Sequence, residues 1–270
     1  MSESAPKRMT IRDVVRMKRE GKKLVVVTAY DVLFAKLVDA AGVDIVLVGD
    51  SVGNVVAGFE TTLPVTLDQM IYHGRAVRRG IKRALLVVDM PFLSYQASEE
   101  SAILNCGNVL KQTGADAVKV EGGTDEMVQT VGRLTRIGIP IVAHLGFTPQ
   151  SVRTIGMRVQ GREESDAQRM VDQAKKLEEA GAFALVLELI PSDLARRITE
   201  SIAIPTIGIG AGPHCDGQVL VLPDLLGLND GFAPKFLKKY AELATSVREA
   251  VERYGDEVRS GAYPDAEHSN

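Results

Sequence analysis

Apolar residues in this chain gather in short, nearly unbroken runs instead of alternating with polar ones. Eight runs rich in β-branched side chains stand at 24–29 (LVVVTA), 45–49 (IVLVG), 85–89 (LLVVD), 117–121 (AVKVE), 139–144 (IPIVAH), 184–188 (ALVLE), 205–210 (PTIGIG) and 219–222 (VLVL). Such runs are expected of parallel strands covered on both faces, since alternation arises only where one face meets water. The stretches between them read as helices. Thr66 with Gln69, and Ser165 with Gln168, have the spacing of a capping box and predict two helix starts. Gly42, Gly114, Gly138 and Gly181 each stand just before a run, where a left-handed residue closes a helix. Eight strands alternating with helices predict an α/β fold, a (β/α)8 TIM barrel.

The end of the chain departs from that rhythm. Phe236, Tyr240, Leu243, Val247 and Val251 follow helical spacing and predict an amphipathic helix over 234–254, an extra C-terminal element that packs on the barrel or on another subunit. Residues 1–10 form a polar N-terminal arm and 261–270 a polar C-terminal tail. No linker or low-complexity stretch interrupts 1–270, which reads as a single domain.

The length of 270 residues suits one such barrel, and 45% hydrophobic residues with nearly balanced charge exclude a disordered chain. With 32 basic against 35 acidic residues, the net charge of −3 argues against a globally basic nucleic-acid binder. Two cysteines, Cys106 and Cys215, are too few for a disulfide framework or a structural zinc site, and reduced thiols in a cytoplasmic protein are expected. The polar start has no apolar core of a secretory signal, and no apolar run approaches the ~20 residues of a membrane span. No membrane partner is expected.

Chemistry in a barrel of this kind gathers at the C-terminal ends of the strands. Those ends carry Asp50 and Ser51, Asp89, Lys119 and Glu121, His144, and Glu188. Lys119 and Glu121 are two apart on a strand and so share a face, either as an ion pair inside the barrel or as a pair looking into one pocket. Asp50, Asp89 and Glu121 offer hard oxygen ligands that suit Mg2+ better than zinc. One such ion together with Lys119 would balance the three carboxylates. Ser51 and His144 remain as donors for an anionic substrate, although a lone histidine can equally be a packed structural residue. Glu188 ends an apolar run; such surroundings favour a protonated carboxyl and suit a general base, with a salt-bridged or capping Glu as the alternative. The glycines at 208–212 lack the spacing of a dinucleotide fingerprint and are expected to permit close backbone approach. Arg75, Arg78, Arg79, Lys82 and Arg83 read as solvated helix surface.

These residues also carry a resemblance. Thr28-Ala-Tyr-Asp31, Val48-Gly-Asp-Ser51, Thr62-Leu-Pro-Val-Thr66, Asp89-Met-Pro-Phe92, Val118-Lys-Val-Glu-Gly122, His144-Leu-Gly-Phe-Thr-Pro-Gln150, Val159-Gln-Gly-Arg162, Leu187-Glu188, Ile207-Gly-Ile-Gly-Ala-Gly212, Tyr263-Pro264 and Glu267-His-Ser269 follow in order along nearly the whole chain. In them the sequence resembles the ketopantoate hydroxymethyltransferase family. One stretch departs: between Ser151 and Gln160 the family usually has a double glycine and an aromatic residue, where this chain has Gly156-Met-Arg-Val and is one residue shorter. The shape of that loop is thereby left open.

The resemblance implies a barrel of the phosphoenolpyruvate/pyruvate class that transfers a hydroxymethyl group from 5,10-methylenetetrahydrofolate, as co-substrate, to 3-methyl-2-oxobutanoate, giving ketopantoate for pantothenate and coenzyme A synthesis. It implies one Mg2+ per subunit held by Asp50, Asp89 and Glu121, the last directly or through water. It further implies keto acid contacts from Asp50, Ser51, Asp89, Lys119 and His144, Glu188 as the catalytic base, and a homo-oligomer, in bacteria often a decamer. Two rivals stand beside it. One is a C–C lyase or phosphonomutase of the same barrel class, whose characteristic Lys-Lys-Cys loop motif has no counterpart around Cys106 or Cys215. The other is a non-catalytic metabolite-binding barrel.

Overall fold

The structure, a computed structural model, describes residues 7–269. Residues 1–6 of the expected N-terminal arm, and Asn270 of the expected tail, lie outside the described residues. The chain divides into two compact units, one up to Val221 and one from Leu222 onward.

The first unit is the barrel. Its strands are β1 (Leu24–Thr28), β2 (Ile45–Val48), β3 (Leu85–Asp89), β4 (Ala117–Glu121), β5 (Ile141–Gly146), β6 (Ala184–Glu188), β7 (Thr206–Ile209) and β8 (Gly217–Leu220). All pair in parallel and in sequence order, and β8 closes on β1. The helices of this unit are α1 (Ile11–Arg19), α2 (Val32–Ala40), α3 (Val52–Val55), α4 (Leu67–Gly80), α5 (Glu99–Thr113), α6 (Asp125–Arg136), α7 (Val152–Ile155), α8 (Glu164–Glu179) and α9 (Ser192–Ser201).

The predicted eight-stranded (β/α)8 barrel is therefore present, with strand limits within about two residues of those read from the runs. Gly42, Gly114, Gly138 and Gly181 all have φ between +69° and +98°, as helix closure before a strand requires. Thr66 caps α4 through the expected box with Gln69. The second expected box is absent: α8 starts at Glu164, so Ser165 lies within its first turn, and Glu163 at the N-cap makes no side-chain hydrogen bond.

Inside the barrel, every second residue of each strand points to the axis. Leu24 and Val26, Ile45 and Leu47, Leu85 and Val87, Ala117, Val142, Ala184 and Val186, Ile207 and Val219 form one buried apolar cluster. α1, which the run pattern did not reveal, packs on the strand starts: Val14 is fully buried in this cluster, with Met9, Ile11, Val15 and Met17 against it. Lys18 ties the helix down by donating to the Thr199 carbonyl at 2.8 Å and pairing with Asp216 at 3.0 Å. α1 thus covers the end of the barrel opposite the C-terminal ends of the strands. The arginine-rich surface also differs from expectation, because Arg83 donates to the Val43 carbonyl and pairs with Asp44 at 3.2 Å, and Arg78 donates to the Ile81 carbonyl.

The second unit contains α10 (Leu222–Leu225) and α11 (Leu243–Ser260). The extra C-terminal helix thus exists but begins at Leu243, leaving Phe236 and Tyr240 in the segment before it, and none of its residues is buried. The tail holds a short 3-10 turn, Ala266–His268, capped by Asp265.

α1 supplies a stability test. Thr10 and Asp13 cap each other's backbone N–H groups, and the Thr10 hydroxyl's hydrogen bond, despite burial and with help from Arg16, lowers the Asp13 carboxyl from 3.8 to about 2. A depressed carboxyl stabilises the fold above its unfolded value and loses that contribution as pH falls toward the folded one. Asp13→Ala should therefore cost about 1 kcal/mol at pH 7, roughly 2 °C in Tm for a chain of this size. The gap from the native protein should close between pH 4 and pH 2 in paired thermal melts. A gap independent of pH would show that the ionised carboxylate is not what caps the helix.

Candidate active site

The parity that fills the barrel with apolar side chains continues past them into charged ones. Asp89 follows Val87, Lys119 and Glu121 follow Ala117, His144 follows Val142, and Glu188 follows Val186, each two residues further along the same face. Parallel register then makes neighbours of them: Asp89 stands beside Lys119, Glu121 beside His144, and Gly146 beside Glu188. The distances follow. Lys119 Nζ lies 3.1 Å from Asp89, 3.9 Å from Glu121 and 3.3 Å from His144 Nδ1. His144 Nδ1 is 3.5 Å from Glu121 Oε1, and its Nε2 is 3.4 Å from Glu188 Oε2. Asp89, Lys119, Glu121 and His144 are buried, whereas Glu188 keeps 18% of its side chain exposed at the rim.

Asp50 joins them by another route. It stands beyond the end of β2, and its backbone N–H donates to Asp89 Oδ2 at 3.0 Å. Its side chain accepts from Gln150 Nε2 at 3.1 Å. Ser51 is the N-cap residue of the short helix α3, and its hydroxyl is 2.8 Å from that of Tyr30. All seven residues read from the strand ends are thus in or beside one constellation.

Burial sets the electrostatics. It pushes the Asp50 carboxyl up to about 7, with the charges of Glu121 and Asp89 adding to the effect. Burial also raises Asp89, against the pull of the Lys119 ammonium. Glu121 is equally buried, but His144, 3.5 Å away, and the charge of Lys119 outweigh burial and leave it below the usual carboxylate range. Lys119 would be lowered by burial, yet Asp89, Glu121 and Asp50 together raise it, so it remains an ammonium. For His144, burial and Lys119 act against protonation, but the facing carboxylates of Glu121 and Glu188 prevail and raise it to about 9. Glu188 faces the imidazole of His144.

Two oxygens stand out as candidate cation ligands. Asp89 Oδ1 and Glu121 Oε1 are buried and make no hydrogen bond, although Lys119 is near both. Among the described residues, no three His, Cys, Asp or Glu side chains form a group that could hold a metal ion by themselves. Asp89 and Glu121 face the Lys119 ammonium, and Asp50 faces the Gln150 amide.

Three site residues escaped the sequence reading: Tyr30, Tyr95 and Gln150. All lie in loops after strands, and none is ionised near neutral pH, so a search for strand-end charges passes over them. Tyr30 and Gln150 had their place within the motifs at 28–31 and 144–150 as a signal, whereas Tyr95 lies in none of the motifs. Elsewhere, the glycine cluster at 208–212 makes close approaches as expected: an added Cβ at Gly212 would overlap the Ser192 hydroxyl. The cysteines Cys106 and Cys215 are free and buried, and burial pushes the Cys106 thiol up to about 12. Among the described residues no helix is long and apolar enough to cross a membrane.

Comparison with known proteins shows the family and the fold. Residues 8–266 match the ketopantoate hydroxymethyltransferase family. The 3-methyl-2-oxobutanoate hydroxymethyltransferase of Syntrophus aciditrophicus is 52% identical over all of this chain and 99% of its own length. That of Prosthecochloris aestuarii is 54% identical over 97% of this chain and 96% of its own. Among solved structures, 2,3-dimethylmalate lyase superposes with a TM-score of 0.62 at 17% identity, covering 98% of this chain and 90% of that one. Phosphonopyruvate hydrolase in complex with oxalate and Mg2+ does so with a TM-score of 0.62 at 15% identity, covering 96% and 93%. Those two likenesses establish the shared barrel.

The geometry singles out Gly146. It has φ +99°, and a Cβ there would overlap the carbonyl oxygen of Glu188. Gly146→Ala should lower stability by roughly 1–3 kcal/mol and reduce activity by more than that loss explains, because β5 and β6 must part where Glu188 is held. Chemical denaturation and steady-state rates on one preparation check this. Wild-type stability and rate would show that the close approach places nothing.

Proposed function

The chain belongs to the ketopantoate hydroxymethyltransferase family, and from that premise we propose that it transfers a hydroxymethyl group from 5,10-methylenetetrahydrofolate to 3-methyl-2-oxobutanoate. The observation that carries the reading is the line of strand-end groups in which Lys119 is paired with Asp89 while His144 stands between Glu121 and Glu188. Such a line offers a buried positive charge for a 2-oxo carboxylate and, at its exposed end, a carboxylate that can take a proton.

The donor set fits Mg2+. That ion demands oxygen ligands, keeps waters, and is usually bound by one or two carboxylates plus substrate oxygens instead of an all-protein cage. The two buried, unbonded oxygens on Asp89 and Glu121 answer that description, with Asp50 beside them. When bound, the ion would supply Lewis-acid polarisation of the keto oxygen and so favour loss of the neighbouring proton. One Mg2+ per subunit is part of this proposal.

The side chains supply the rest. Lys119 and the Ser51 hydroxyl, itself bonded to Tyr30, orient the keto acid by its carboxylate. Glu188 takes the proton from C3 and holds it, while His144 fixes one of its carboxylate oxygens and leaves the other free. The C–N10 bond of the folate opens as N10 takes up a proton, and the electron pair released at C3 adds to the methylene carbon of the resulting N5 iminium. Water then displaces N5, giving its hydroxyl to the product and its proton to the departing tetrahydrofolate. A plugged floor and a largely buried site limit water around the reacting carbon. Homo-oligomerisation, to a decamer, and a cytoplasmic location for a chain with two buried thiols complete the proposal. Nucleic acid and membrane are not among its partners.

Glu188→Gln keeps the size of the side chain but cannot accept the proton. Exchange of the C3 proton of 3-methyl-2-oxobutanoate with solvent deuterium should slow by about 10²–10⁴-fold, with keto acid affinity little changed. Exchange at the native rate would assign the base elsewhere. Asp89→Ala should abolish Mg2+-dependent binding of the keto acid in calorimetry; an unchanged metal-dependent heat would remove Asp89 from the cation's surroundings.

A further inference from the structure

Gln150 is buried in the 3-10 turn Pro149–Ser151, which follows β5. Its side-chain amide has two N–H donors and two acceptor lone pairs, and the structure fills all four. Nε2 donates to Asp50 Oδ2 at 3.1 Å and to the Met90 carbonyl at 2.9 Å. Oε1 accepts from the Tyr95 hydroxyl at 2.8 Å and from Gln96 Nε2 at 3.0 Å. Its backbone N–H donates to Glu121 Oε2 at 3.1 Å. The Tyr95 hydroxyl in turn accepts from the Glu121 backbone N–H at 3.0 Å. Turning the amide over would set its oxygen against a carboxylate and a carbonyl, and its NH2 against the NH2 of Gln96. One orientation is therefore fixed by its neighbours.

A residue whose side chain is held in one orientation by groups just after β2 and β3 and in the β3–α5 loop, and whose backbone N–H reaches Glu121 at the end of β4, can set the positions of the carboxylates it bonds. Glu121 is gripped by Oε2, while its Oε1 makes no hydrogen bond. Asp50 is gripped by Oδ2. Burying a primary amide is costly unless it is fully bonded, and an apolar side chain would serve if the position had only to be filled. We propose that Gln150 is a positioning residue. By bonding one oxygen of Asp50 and one of Glu121 at once, it presents the two carboxylates for a divalent cation, with Tyr95 locking its amide. This rests on the reading of the site given above.

The alternative is a latch that merely joins the β3–α5 loop to the turn after β5. Mn2+ binding separates the two, read by the loss of its free EPR signal in the full chain with and without 3-methyl-2-oxobutanoate. Gln150→Met keeps the length of the side chain and loses every side-chain hydrogen bond; Mn2+ affinity should fall by about 10–100-fold. Tyr95→Phe removes one hydroxyl that faces no cation. It should retain a Tm within a few degrees of the native protein and still weaken Mn2+ several-fold. Where Gln150→Met does not fold, Tyr95→Phe decides. Variants that lose Tm but bind Mn2+ within twofold of the native protein would overturn the positioning role and leave a latch. A native protein that binds no Mn2+ in the presence of the keto acid would overturn the metal reading beneath it, and this inference with it.

Discussion

A buried ammonium organises the mouth of this barrel. Lys119 lies 5% exposed on β4, at hydrogen-bond or ion-pair distance from Asp89, Glu121 and His144. An isolated charge could not stay in such a place, because transfer from water costs several kcal/mol per ion even after relaxation. Nor could Asp50, Asp89 and Glu121 stay together without a cation among them. Each buried charge is tolerable because the others are present, so the group stands or falls as a unit. Removing Lys119 would therefore do more than delete a substrate contact; it would leave adjacent acidic groups with less reason to remain ionised.

That arrangement depends on parity and register together. Parity along each strand carried the inward face from leucine and valine to aspartate, lysine, histidine and glutamate without a change of direction, and could be read from spacing. Register across strands set Asp89 beside Lys119 and Glu121 beside His144, and no spacing within one strand reveals that. The same division explains what else was legible. Strands, glycine-closed helices and strand-end charges carry local signals. The floor helix α1 does not, because its apolar residues matter only once a barrel exists for them to close. The box proposed at Ser165 failed for a related reason: the spacing was present, but α8 had already begun at Glu164. Gln150 was hidden because an amide tells nothing about its partners until the turn after β5 brings it under β2 and β4.

The end of β6 shows the opposite kind of constraint, one in which the backbone is held rather than the charge. Leu189 directly follows Glu188 and has φ +46°, a left-handed conformation rare for a leucine. Its N–H donates to the Ile209 carbonyl at 2.9 Å, and its own carbonyl accepts from the Gln160 N–H at 2.9 Å. The Glu188 carbonyl meanwhile accepts from the Phe147 N–H at 2.8 Å and passes where only a glycine at 146 allows. Strained backbone persists where its surroundings over-determine it. Here β5, β7 and the loop before α8 do so on every side of one glutamate. Gln160 lies in the loop after β5, so that loop anchors the residue beside Glu188.

The same barrel is shared with 2,3-dimethylmalate lyase and phosphonopyruvate hydrolase at 17% and 15% identity, so the barrel does not choose the reaction. A floor closed by a helix and a mouth lined with charge would serve many transformations of small acids. What separates one from another must lie in the few groups that act on the reacting carbon. In this chain the deeper residues, Asp89, Lys119, Glu121 and His144, are buried and bonded to one another, which suits holding a substrate whose charge is constant. Glu188 stands at the rim with 18% of its side chain exposed and one oxygen toward His144. A proton acceptor needs that combination: a partner that fixes its direction, and a free oxygen where the substrate's far end and the incoming carbon donor can meet. Under the proposed reaction, depth in the barrel would sort binding from chemistry, with binding below and the proton taken at the edge.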